Sequence, residues 1–147
     1  MTKRISRERH FLQRLLRNED GSPAVEFAII APLLVLLTAG MIDVGRLGLA
    51  SSTLYLVADE GARYAAVHAE GSLLPKTEAE IEAFARKHII GIEDGQVAIN
   101  MDWTPDPAIS GGKVKVTATY TVDLWLTSFM NINDITMNRS ATMTINY

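Results

Sequence analysis

From Pro23 to Ile42 the chain is an apolar run in which Glu26 is the one charged residue. Twenty residues rise ~30 Å as an α-helix, enough to cross the hydrocarbon of a bilayer. An ionised carboxylate inside lipid costs at least ~2.5 kcal/mol, so Glu26 needs a partner or a purpose. Pro32 interrupts one backbone hydrogen bond of the run, which a membrane helix tolerates as a kink or a local adjustment. The run exceeds an ordinary secretory h-region, and no A-x-A-like site separates it from Asp43, so it reads as a retained span.

Charge orients that span. Before the run stand Lys3, Arg4, Arg7, Arg9, Arg14 and Arg17 against Glu8, Glu19 and Asp20, whereas the chain as a whole carries −3. A basic segment ahead of an apolar helix stays in the cytoplasm, which sends everything after the span outside it. The remainder is acidic, which argues against nucleic-acid binding. The chain has 147 residues and no cysteine. Disulfides, thiol catalysis and thiolate metal sites are therefore excluded. Beyond the leader and the span, about 100 residues or fewer remain, room for one small domain.

The helical pattern continues past Asp43. Leu47, Leu54, Val57, Ala58, Gly61, Ala62, Ala65, Ala66 and Ala69 carry it on. Spacings of three and four set Ala58, Ala62, Ala65 and Ala69 on one stripe. The expectation is one long helix from about Pro23 to Ala69, lipid-soluble in its first half and amphipathic in its second, closed by Gly71 and Ser72. A second helix opens at a capping box of Thr77 and Glu80. Ile81, Phe84, Ala85, His88 and Ile89 form its apolar face, and Gly91 fits its C-terminal cap.

The remaining sequence alternates with period two. Val97, Ile99, Met101 and Trp103 share a face. So do Val114, Val116, Ala118, Tyr120, Val122, Leu124 and Leu126, and so do Ile135, Met137, Ala141, Met143, Ile145 and Tyr147. Apolar-in, polar-out alternation indicates an antiparallel sheet covered on one side. Turn signals at Pro105–Pro107, Gly111–Gly112 and Asn131–Asp134 separate the strands. The fold class is α+β: a long N-terminal helix, a short second helix and a small antiparallel sheet. Its boundaries are a leader at 1–21, the long helix at 22–70 with its span at 23–42, and an α+β domain at 71–147.

Local motifs narrow this plan. Gly21-Ser22-Pro23-Ala24-Val25-Glu26-Phe27-Ala28, Ala31-Pro32-Leu33-Leu34, Asp43-Val44-Gly45-Arg46 and Glu60-Gly61-Ala62-Arg63-Tyr64-Ala65-Ala66 together resemble the TadE-like family, pseudopilins of the tight-adherence (Flp) pilus system. The resemblance covers residues 21 to 66 and extends over the later strands by pattern alone. It implies a type IV pilin-like fold and a structural subunit of a pilus. It further implies that a prepilin peptidase cuts between Gly21 and Ser22, making Glu26 the fifth residue of the mature chain. The new α-amine, with a reference pKa near ~8, is mostly cationic at neutral pH. Glu26 would neutralise the amine of an adjacent subunit, beside Phe27, where Flp pilins often carry tyrosine. The implied partners are the prepilin peptidase, other pilin or pseudopilin subunits, the inner-membrane assembly platform and the lipid bilayer. The implied location is the bacterial inner membrane, single-pass, with the leader cytoplasmic and the domain periplasmic. A permanently anchored scaffold or binding protein that is never cleaved is the second reading.

Other features read as structural. Asp43 and Arg46 form an i,i+3 pair at the far end of the span, expected to be an interfacial surface pair worth little. Arg63 and Tyr64 are expected at the junction of helix and domain. His10, His68 and His88 lie in three separate segments, with no second ligand at metal spacing, and His88 reads as a packing residue. Asp102 and Asp106 flank Trp103 without the spacing of an EF-hand loop. No metal or other cofactor is expected. No nucleophile elbow, phosphate-cradling glycine loop or catalytic dyad occurs, which argues against an enzyme.

Overall fold

A computed structural model describes residues 22–125 and 135–146. The leader, Gly21, the expected turn at Asn131–Asp134, Leu126 and Tyr147 lie outside the described residues. The order of elements is α1 (Ser22–Val67), α2 (Glu78–Arg86), a short 3-10 turn (Asp94–Gln96), β1 (Val97–Thr104), β2 (Lys113–Val122) and β3 (Ile135–Thr144). This is the expected α+β, pilin-like layout. The three strands form one antiparallel sheet in the order β1-β2-β3. The chain divides into two units, one ending at Thr38 and the other running Ala39–Tyr147.

Within the first unit, the described part of α1 is apolar apart from Glu26 and Thr38, and no residue from Pro23 to Thr38 is buried. A helix without a polar face has no aqueous side, which is the pattern of a membrane span. The 18-residue window that makes α1 a candidate span is wholly unburied. Thr38 returns its hydroxyl to the Leu34 carbonyl at 2.8 Å, which satisfies a polar group in apolar surroundings.

In the second unit α1 becomes a core helix. Ala50, Leu54, Val57, Ala58, Ala62, Ala65 and Ala66 are buried, on spacings of three and four. Two clusters form along it. Ala50, Leu54, Val57 and Ala58 pack with Val97, Ala118, Tyr120, Val122 and Leu124. Ala62, Ala65, Ala66 and Ala69 pack with Ile81, Val114, Val116 and Ile145. The buried face of β2 is the one its alternation indicates, and so are those of β1 and β3, except that Ile135 at the start of β3 is 41% exposed. Small residues on α1 let the sheet approach closely: a Cβ on Gly61 would stand 3.2 Å from Ala85 Cβ and 3.3 Å from Val116 Cγ1.

The capping box forms as expected. The Thr77 hydroxyl accepts from the Glu80 amide, and Glu80 Oε2 accepts from the Thr77 amide at 3.0 Å. The far end of α2 differs from expectation. The helix stops at Arg86 with Lys87 as its cap, so Gly91 is not its C-terminal glycine. Gly91 adopts φ +73 in the following turn, where a Cβ would meet Leu49 Cδ2 at 2.7 Å. The reason is Arg86. Its guanidinium binds Glu82 at 2.7 Å, the Asp94 carboxylate at 2.7 Å and the Val97 carbonyl at 3.0 Å. That clamp draws the chain out of the helix toward β1, and His88 and Ile89 follow the helix instead of extending it.

Candidate functional site

The residues that carry the pilin resemblance lie along α1 from its first turn to the domain. Ser22 opens the helix, and Pro23 follows in the first turn, where its missing N–H and fixed φ are suited to a helix start. Glu26 lies four residues after Ser22, one turn further on and on the same side of the helix. Both Glu26 and Phe27 are exposed, Phe27 at 65%. Gly21, the expected scissile residue, is outside the described residues.

The Asp43–Arg46 pair is more than a surface ion pair. Arg46 Nη1 stands 3.9 Å from Asp43 Oδ1, the long end of the range for a salt bridge. Asp43 itself is buried, with 4% of its surface exposed. Its Oδ1 accepts the Trp125 amide at 3.2 Å, across 82 residues of sequence. The carboxylate therefore ties the base of α1 to the segment that leaves β2, a role the local sequence did not reveal. Ten residues further along α1, the buried Thr53 gives its hydroxyl to the Ile90 carbonyl at 2.8 Å. Opposite Ala118, Arg139 reaches across from β3 to Ser51 Oγ at 2.8 Å.

The upper motif is built for packing. Tyr64 stacks between His68 and Phe84, each centroid 4.0 Å away. His88 tilts against Phe84 at 5.2 Å. Arg63 lies on the outer side, 3.0 Å from Asp59. Trp103 donates its indole N–H to Glu78 at 2.7 Å and fastens β1 to the first turn of α2. At that turn, Lys76 binds Glu80 at 2.8 Å. The Lys76 ammonium, and after it the Thr77 amide, hold the Glu80 carboxyl down to about 2. Among the described residues, no three His, Asp or Glu side chains gather where a metal ion could sit.

The family model described as TadE-like protein matches residues 21–63. The matched segment begins at the expected cleavage glycine, spans the apolar run and ends one residue short of Tyr64, so over this stretch the chain is similar to TadE-like proteins. It covers the N-terminal helix and none of the sheet. No match was found among curated proteins or among solved structures.

Proposed function

We propose that the protein is a minor pilin or pseudopilin, a membrane-inserted structural subunit used in assembling a tight-adherence pilus. The observation that carries this reading is the continuity of one helix. The TadE-like segment at 21–63 is a candidate span that runs on, without a break, as the core helix of a small α+β domain. Such a subunit works by packing: its apolar half stays in lipid or among like helices, while its domain projects into the periplasm.

A prepilin peptidase removes residues 1 to 21 in this proposal. Cleavage discards the basic leader, whose charges hold the chain in the inner membrane, and leaves a free amine on Ser22. The peptidase, the other subunits and the assembly platform are its partners. The role is structural, and no catalytic residues are assigned.

The mass of the membrane-associated form tests this. In cells that contain the peptidase, wild-type protein should lack residues 1 to 21, whereas Gly21→Lys should persist as the heavier precursor. Equal masses for the two proteins would reject processing and favour the uncleaved anchor instead.

A further inference from the structure

The end of the domain nearest the membrane exit carries a tryptophan. Ile42 closes the apolar run, and Asp43 follows it directly in α1. Because Asp43 holds the Trp125 amide, the Trp125 backbone stands one side-chain length from α1 where the run ends.

Chain lengths give the same placement independently. Higher up, Gly61 stands against Val116. From Asp43 to Gly61 the helix rises about 27 Å at 1.5 Å per residue. From Val116 to the end of β2 at Val122 the strand covers about 20 Å, and Trp125 follows three residues later. The two agree, so β2 and the residues after it run down α1 to the point where α1 leaves its apolar run. There the Trp125 side chain is 64% exposed, and Ile135, paired with Val122 at the same end of the sheet, is 41% exposed. Trp103 lies at the opposite end: it pairs with Val114, which packs with Ala62 to Ala69.

We propose that Trp125 is an interfacial anchor whose indole sits in the headgroup and glycerol layer of the bilayer. An indole is a flat apolar body with one hydrogen-bond donor, and this layer offers contact to the body and acceptors to the N–H. The Asp43 carboxylate sets the depth of the backbone that carries the ring. The domain is then held to the membrane at a second point beside α1, which restricts how it tilts about the helix. The inference rests on the membrane-anchored reading of residues 23–42, and the test separates the two.

The chain contains two tryptophans. Trp103→Phe leaves Trp125 as the reporter, and Trp125→Phe leaves Trp103 as the control. The full chain is reconstituted into phosphatidylcholine vesicles, and flotation on a density gradient reports insertion. Vesicles with bromine at acyl positions close to the headgroup should reduce Trp125 emission about twofold relative to plain vesicles. The Trp103 emission should not change. Floating protein whose Trp125 emission is the same in both vesicles overturns the inference and leaves the span intact. Trp125 shielding from aqueous iodide that grows with protein density, without bromine quenching, assigns the ring to a second copy and also overturns it. Protein that does not float removes the membrane reading and this inference together.

Discussion

Gly61 of α1 faces Val116 of β2 with space for a hydrogen and little more, since a Cβ there would stand 3.3 Å from Val116 Cγ1. On its other flank Ala85 of α2 is equally close, at 3.2 Å. Helix, sheet and second helix therefore meet at one backbone position. Gly61→Leu would force all three apart and should cost on the order of 1–3 kcal/mol, the usual penalty for overpacking. Thermal unfolding of the detergent-solubilised full chain measures this. A melting temperature equal to wild type would mean that the contact relaxes without cost.

Asp43 supports a separate prediction. Asp43→Ala removes the acceptor for the part-buried Trp125 amide and should destabilise the domain by about 1 kcal/mol, the low end of the cost of an orphaned donor. Asp43→Asn keeps an acceptor oxygen and should lose less. Arg46→Ala should cost well under ~1 kcal/mol, because that pair is long and its arginine is solvated. Limited proteolysis of the membrane-bound protein would rank the three. Equal sensitivity of Asp43→Ala and Arg46→Ala would show that the ion pair, and not the Trp125 amide, is what Asp43 contributes.

The pair at the start of α2 gives the domain an acid-sensitive helix end. Glu80 is held at about 2 by Lys76 and the Thr77 amide, below its ordinary 4.5. Folded Glu80 stays ionised while unfolded Glu80 takes up a proton, so its contribution is full above about 4.5 and is lost as pH falls toward about 2. Lys76 is shifted the other way, upward from 10.5 by the same partner. Its contribution is present below that value and is lost only as pH rises through the raised one. Both side chains are substantially exposed, so salt weakens the effect. The melting temperature of Glu80→Gln should therefore fall less steeply than wild type between pH 4.5 and 2. Parallel curves for the two proteins would reject the assignment.

The features read correctly from sequence are those with a period. Nothing between Pro32 and Pro75 breaks the helical spacing of α1, and its buried residues fall where the three-and-four pattern puts them. Val114 to Val122 alternate in and out because one sheet face is covered by that helix. The capping box was legible because both its partners lie within one turn. What escaped is long-range. Asp43 looks like half of a helical salt bridge until Trp125 arrives from 82 residues away. Arg139 interrupts an apolar face and finds Ser51 88 residues distant. Gly91 looks like a helix cap in the sequence because a glycine after an amphipathic stretch usually is one. The Arg86 clamp ends α2 earlier and assigns that glycine to the next turn.

The last prediction concerns Glu26 and depends on the proposed processing. The peptidase acts at the bond after Gly21, whereas assembly must accommodate the charge that cleavage creates on Ser22. Glu26 follows Ser22 by one helical turn on an exposed part of α1, so it can meet the amine of a neighbouring helix. Glu26→Gln keeps the shape and removes the charge. In a low-dielectric setting, loss of one member of an ion pair costs roughly 3–5 kcal/mol, because the other remains charged and buried. Glu26→Gln should therefore be cleaved and inserted like wild type, yet fail to co-purify with other pilus subunits from detergent-solubilised membranes and fail to support surface attachment. An uncleaved anchor would show no defect, since Glu26 would then merely sit at the membrane interface with no new amine on Ser22 to neutralise. Wild-type co-purification and attachment would reject the ion-pair mechanism even if the chain is processed. A mutant that also accumulates as precursor would show that Glu26 serves the peptidase as well, so cleavage has to be scored in the same preparation.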